Sequence, residues 1–249
     1  MSTELRIDSA RLLRRLDALA QVGAIDGGGC SRLALTDADH LGRDMVVGWM
    51  RDLGLEVSID QIGNVVGTRP GLESGPPVMT GSHIDTVRTG GRYDGNLGVL
   101  AGLEVIETLI GAGLTPRRAM AVAFFTNEEG ARFAPDMLGS LVYQGDMTVA
   151  DALNVVGIDG ARLGDELERI GYAGSAPCGQ PDVHAFVELH IEQGPVLEAE
   201  GITIGAVDGV QGILWTEVTI EGVSNHAGTT PMRLRKDAGY AAAAIAVFA

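Results

Sequence analysis

The chain has 249 residues, 45% hydrophobic and 4% aromatic, with 36 glycines and a formal net charge of −15 at pH 7. That length suits one large domain, or one domain and part of another, around a core of Ala, Val, Leu and Ile. The acidity excludes a nucleic-acid partner, and no apolar run approaches the ~18 residues that span a bilayer.

Two distant cysteines, Cys30 and Cys178, have no metal-type spacing and argue against a disulfide framework. The N-terminal "MSTELRIDSARLLRRLDALA" is charged and amphipathic and lacks the apolar stretch of a signal peptide. A cytoplasmic protein without a membrane partner is expected.

In chain order, a first helix is predicted from about Ser9, with Leu12, Leu13, Leu16 and Leu19 on one face. A second begins after Thr36 as N-cap and stops at Gly54. "LEVSID" and "NVVGT" read as a pair of short strands, and "PPVMTGS" as a buried strand that delivers His83. "NLGVLAGLEVIETLIGAG" is a helix, and "RAMAVAFF" is an apolar strand that breaks into Glu128–Glu129. Helices are predicted around 148–156 and 160–170, then a Gly/Ser/Pro loop and the strand "VHAFVELHIE". This alternation of helices and strands indicates α/β architecture.

After Gly209 the pattern changes. "GILWTEVTIEG" reads as one long strand, "SNHAGTT" as a loop, and a helix is predicted from Thr230–Pro231 to the last residue. One strand and one apolar helix cannot bury their own faces. Residues 1–208 are therefore expected to form one domain, and 209–249 the opening of a second whose remainder lies beyond Ala249.

Potential metal-type residues fall at or just after the ends of the predicted strands: His83, Asp85, Asp94, Glu128, Glu129 and His190. In open α/β sheets that edge is where ligands bind. Taken singly, each has an ordinary explanation, as a hydrogen-bonded loop histidine, an acid at a helix N-terminus or a solvated charged turn.

Together they say more. In "SHID" one residue can ligate while its neighbour orients it. In "GGRYDG" the glycines around Asp94 allow backbone conformations and close approaches that a side chain obstructs. Alternation in "VHAFVELHIE" places His184, Glu188, His190 and Glu192 on one strand face, an unusual composition for core. Imidazoles and carboxylates without thiols suit zinc, manganese, cobalt or nickel. A bound cation lowers the pKa of water, and a neighbouring carboxylate can take its proton.

Four segments, "TGSHIDTVRTGGRYDGNLGVLAGLEV", "FTNEEGARFAPDMLGS", "ELHIEQGPVLE" and "TIEGVSNHAGTTPMRLRKDA", resemble the dinuclear metallohydrolases of the N-carbamoyl-L-amino-acid hydrolase, allantoate amidohydrolase and β-ureidopropionase group. The resemblance covers nearly the whole chain, in the family's order. It implies a zinc-exopeptidase-like catalytic domain, a central mixed sheet flanked by helices, and the start of an inserted α+β lid or dimerisation domain.

It also implies two divalent ions, zinc foremost, with His83, Asp94, Glu129 and His190 as ligands and Asp94 bridging. Glu128 would be the general base, and Asp85 would orient His83. Gln193 would contact the substrate. His226 would reach the oxyanion from the second domain, in this family often across a homodimer interface. The implied reaction is hydrolysis of a linear C–N bond in an N-carbamoyl-L-amino acid or β-ureido acid to the amino acid, CO2 and NH3. Allantoate hydrolysis and a catalytically inactive metal-binding fragment are the alternatives. Family members are longer, and a further histidine ligand is expected beyond Ala249.

Overall fold

The computed structural model describes residues 5–212, 214 and 216–248. The chain divides into two compact units, Met1–Gly194 and Pro195–Ala249, a division upstream of the 208/209 boundary read from the sequence.

The first unit is built on a five-stranded mixed sheet of order β1-β2-β4-β3-β5. Its strands are β1 (Glu56–Ile59), β2 (Val65–Arg69), β3 (Val78–His83), β4 (Met120–Phe125) and β5 (Ala185–Val187). β1, β2 and β4 pair antiparallel, whereas β3 lies parallel to both β4 and β5. The parallel β3–β4 pair needs a crossover, which α3 (Asn96–Gly111) supplies.

β4 shows why an unbroken apolar run makes a central strand. Val122 and Phe124 face one side, with α3 and with α1 (Ser9–Ala20) and α2 (Asp37–Asp52), while Ala121 and Ala123 face the other beside Met79 and Val66. A strand buried on both faces needs no polar alternation. The larger core takes Leu16 and Leu19 from α1, Val46 and Met50 from α2, and Leu100, Leu103 and Ile106 from α3, all at most 2% exposed. Leu13, expected on the buried face of α1, is 53% exposed, because Leu12, Leu16 and Leu19 already fill the contact stripe.

Helix boundaries follow side-chain chemistry. Thr36 Oγ1 caps α2 by accepting from Asp39 N, and Thr148 caps α5 (Val149–Leu153) through Asp151 N. α6 spans Leu163–Arg169, and α4 (Leu138–Gln144) falls in a stretch without a periodic apolar pattern. One polar clamp crosses the core edge. Arg11 donates twice to Glu104 at 2.7 Å, and Asp8 N and Thr108 Oγ1 donate to the same carboxylate, fastening α1 to α3.

The second unit contains α7 (Val196–Glu200), a 3-10 turn (Met232–Leu234) and α8 (Ala238–Phe248), none with a buried residue. Of the long strand expected at 212–222, the described residues form none; Ile213 and Trp215 lie outside them. A strand exists by pairing, and no neighbouring strand lies beside this segment among the described residues. The helix expected from Thr230 begins later. Pro231 leads only into the 3-10 turn, and Asp237 Oδ1 accepts from Tyr240 N to start α8. No helix among the described residues is long and apolar enough to cross a membrane.

Candidate metal centre

The C-terminal ends of β3, β4 and β5 lie at one edge of the sheet because the three strands run parallel. β3 ends at His83 itself, β4 leads through Thr126 and Asn127 to Glu128–Glu129, and β5 leads through Glu188 to His190. A long chain separation thus becomes a short spatial one by topology alone.

Backbone conformation aims each group. Gly95, with φ +63, precedes α3, and a Cβ there would lie 2.4 Å from His83 Nε2. Only glycine lets the "YDG" turn close over the imidazole and bring Asp94 beside it. At Gly98 a Cβ would meet the Leu189 carbonyl at 2.8 Å, so the segment carrying His190 lies directly on the first turn of α3. Asn127 adopts a left-handed φ of 55 and is held there by Nδ2 donating to the carbonyls of Phe133 and Pro135.

The period-two pattern read for "VHAFVELHIE" holds only as far as Val187, since β5 pairs just Ala185–Val187 with β3. Beyond it Glu188 accepts a hydrogen bond from Ser82 Oγ at 2.5 Å, and the chain leaves the ladder before His190.

The two imidazoles are presented alike. His83 Nδ1 lies 2.9 Å from the Asp85 carbonyl, and His190 Nδ1 lies 2.8 Å from the Ile191 carbonyl. A carbonyl can only accept, so each Nδ1 carries a proton, and in the neutral ring each Nε2 offers a lone pair. Those Nε2 atoms face carboxylate oxygens, His83 toward Glu128 Oε2 at 3.4 Å and His190 toward Asp94 Oδ1 at 3.2 Å. Facing lone pairs repel unless a proton or a cation lies between them.

The donor atoms of His83, Asp94 and His190 lie within 4.8 Å of one another. Asp94 Oδ1 is shut off from solvent and accepts no hydrogen bond, while Oδ2 accepts from Gln193 Nε2 at 2.8 Å. A buried carboxylate oxygen without a hydrogen bond, facing His190 Nε2 in a group that also includes His83, fits a divalent cation.

Glu128 and Glu129 line the same cavity, about 190 Å³, together with Asp136 and Gln193. The Glu129 carboxylate does not belong to the tight three-donor group. Asp85 acts on the histidine through its main-chain carbonyl. Its carboxylate stands 3.9 Å from His83 Nδ1 and instead accepts from Glu128 N and Glu129 N, both at 3.2 Å. It therefore ties the β3 turn to the β4 turn.

Charge is concentrated here. Burial raises the Glu129 carboxyl to about 7, with Asp94, Asp85 and Glu128 adding to the rise and His83 opposing it. Burial likewise raises Glu128 and Asp85, against the pull of His83. Burial works against protonated His83, but the surrounding carboxylates of Asp85, Glu128 and Glu129 outweigh it and raise its pKa. Acids this crowded ionise together only beside a positive charge.

A second cavity, about 420 Å³, adjoins through Glu128 and has Met79, Phe125, Tyr143 and Phe186 among its walls. His226 belongs to the second unit. Its Nδ1 accepts from Gly228 N and Thr229 N, so the neutral ring carries its proton on Nε2 as a donor.

Sequence reading left three residues at this edge unassigned: Asp136, Asn127 and Asn96. Asp136 stood inside the quoted "FAPDMLGS" segment, and its chain distance from the glutamates hid its place in the cavity.

Residues 79–249 match the model of the family described as Peptidase family M20/M25/M40. The N-carbamoyl-L-amino-acid amidohydrolase of Rhizobium meliloti is 44% identical over 96% of this chain and 58% of its own length. That of Geobacillus stearothermophilus is 41% identical over 96% of this chain and 59% of its own. The crystal structure of a hydantoinase/carbamoylase family amidase from Burkholderia ambifaria superposes with a TM-score of 0.82 at 45% identity, covering 98% of this chain and 60% of that one. The chain thus spans about 60% of the length of the relatives it matches.

Proposed function

The chain belongs to peptidase family M20/M25/M40, and from that premise we propose that it is the metal-binding part of an amidohydrolase cleaving the linear C–N bond of an N-carbamoyl-L-amino acid. The observation that carries this reading is the gathering of His83, Asp94 and His190 donor atoms within 4.8 Å of one another, with Asp94 Oδ1 shut off from solvent and facing His190 Nε2. Relatives named for that substrate supply the reaction class.

His83, Asp94, His190 and Glu129 would hold a pair of divalent ions, which when bound polarise a carbonyl and lower the pKa of water. The choice among zinc, manganese, cobalt and nickel is left to that nitrogen and oxygen donor set, with zinc foremost. Glu128 stands at the cavity wall with its carboxyl raised by burial, suited to take a proton from water and return it to the leaving nitrogen. Gln193 holds Asp94 in place and would turn toward the substrate. His226, with its Nε2–H donor, would stabilise the developing oxyanion. Residues 209–249 would open a lid domain through which a cytoplasmic homodimer forms.

The test has two parts. The chain should bind Co2+ by calorimetry, and the His83→Ala and His190→Ala variants should not. Loaded protein should then release ammonia from N-carbamoyl-L-amino acids faster than from allantoate, and Glu128→Gln should lower turnover by about 100-fold or more with Co2+ still bound. No Co2+ binding removes the metal reading. Binding without turnover of any ureido substrate makes the chain a metal-binding module.

A further inference from the structure

The fully buried Arg32 takes no part in the chemistry above, yet it touches both turns that bear the metal-type residues. Its Nε donates to the Ile84 carbonyl at 2.7 Å, between His83 and Asp85. Its Nη2 donates to Asn96 Oδ1 at 2.9 Å, two residues past Asp94. Its main chain is tied to the same first turn: Arg32 N donates to Thr86 Oγ1 at 2.8 Å, and Thr86 N donates to the Arg32 carbonyl at 2.9 Å. The remaining bonds, from Nη1, go to the Leu19 and Val22 carbonyls at the end of α1 and to Cys30 Sγ.

None of these hydrogen-bond partners is a carboxylate. A guanidinium held in the interior by neutral acceptors alone is costly, and an apolar residue would fill the same space more favourably. What an apolar side chain cannot do is span two turns with a rigid planar fork. The His83–Asp85 turn and the Asp94–Asn96 turn come from opposite ends of a glycine-rich loop, and this single side chain bonds to both.

We propose that Arg32 is a positioning residue for the metal centre, fixing the distance between His83 and Asp94 through Ile84 and Asn96. The proposal rests on the metal-binding reading of that site. Lysine at this position keeps the charge and can still cap α1, but one ammonium cannot reach both turns in the guanidinium's geometry. Asn96→Ala removes one arm of the bridge and leaves the α1 contacts intact.

The experiment is Co2+ titration of the 249-residue chain by calorimetry and by the visible absorption of the bound ion, alongside urea unfolding of the metal-free protein. Arg32→Lys and Asn96→Ala should each weaken Co2+ binding by about 10- to 100-fold and alter the cobalt spectrum, as loss of a support behind a ligand does. Glu104→Gln, in the α1–α3 clamp away from the site, supplies a control that lowers stability without touching the turns.

Equal Co2+ affinity and spectrum in wild type and Asn96→Ala overturn the proposal and leave the metal reading standing. An equal loss of affinity in Glu104→Gln also overturns it, since the effect would then be general destabilisation. If Arg32→Lys fails to fold, Asn96→Ala decides alone. If the wild-type chain binds no Co2+, the metal reading falls and this proposal with it.

Discussion

The two units of this chain are made of similar residue types and behave differently. In the first, Phe124 is 0% exposed between α2 and the sheet; in the second, Phe248 is 94% exposed on α8. Val210 and Leu214 are likewise about nine-tenths exposed. Hydrophobicity drives burial only when a complementary face is within reach. The first unit contains both sides of its core, whereas no described residue of α7, the 3-10 turn or α8 in the second is buried.

A matched pair of truncations separates the two units most widely. Phe124→Ala should lower the stability of the first unit by about 3–5 kcal/mol in urea unfolding, and Phe248→Ala should change it by no more than about 0.5 kcal/mol. Comparable losses would mean that α8 shares the core.

Glu104→Ala should follow, at about 1–3 kcal/mol, because Arg11 and the Asp8 amide lose a shared acceptor. The same clamp gives a pH dependence. Burial alone would raise the Glu104 carboxyl, but its hydrogen bonds from Arg11, Asp8 N and Thr108 outweigh that and hold it below its usual value. With the folded pKa depressed, its contribution is complete above the unfolded value near 4.3 and fades as pH falls through the folded one. The midpoint of wild type should therefore drop more steeply below about pH 4.3 than that of Glu104→Gln. Parallel acid limbs would show that the clamp carries no charge-dependent stability.

The smallest effect belongs to the second unit. Asp237→Ala removes the start of α8 and should reduce helical circular dichroism by an amount corresponding to about 1 kcal/mol of helix stability. The urea transition of the first unit should not move. A shift there would join the two transitions into one.

These contrasts explain what the sequence disclosed. Thr36 and Thr148 mark helix starts because a side-chain oxygen satisfies an amide locally, which needs no tertiary knowledge. β4 was legible from its apolar run. By contrast α4 begins after Met137 in a left-handed conformation and is too short to establish a period. Arg32 and Arg43, both 0% exposed, are invisible to hydropathy, which assigns arginine to the surface. Arg43 is buried by Asp39, by the Gly63 carbonyl and by the rings of Phe124 and Tyr172, none adjacent to it in sequence.

At the site, residue types and order were readable from the motifs. Which atom of Asp85 meets His83 was not. That depends on how the β3 turn meets the β4 turn, and the carboxylate answers to two amides on the latter.

The parallel placement of β3, β4 and β5 also sets a schedule. His83 leaves the ribosome long before His190, and the strand that leads to His190 is a three-residue edge. Distant pairings of this kind are the slow ones in folding. If the two imidazoles share an ion as proposed, the native arrangement of its ligands is complete only once β5 is docked, and a coloured ion added to refolding protein would act as a stopwatch for that closing event.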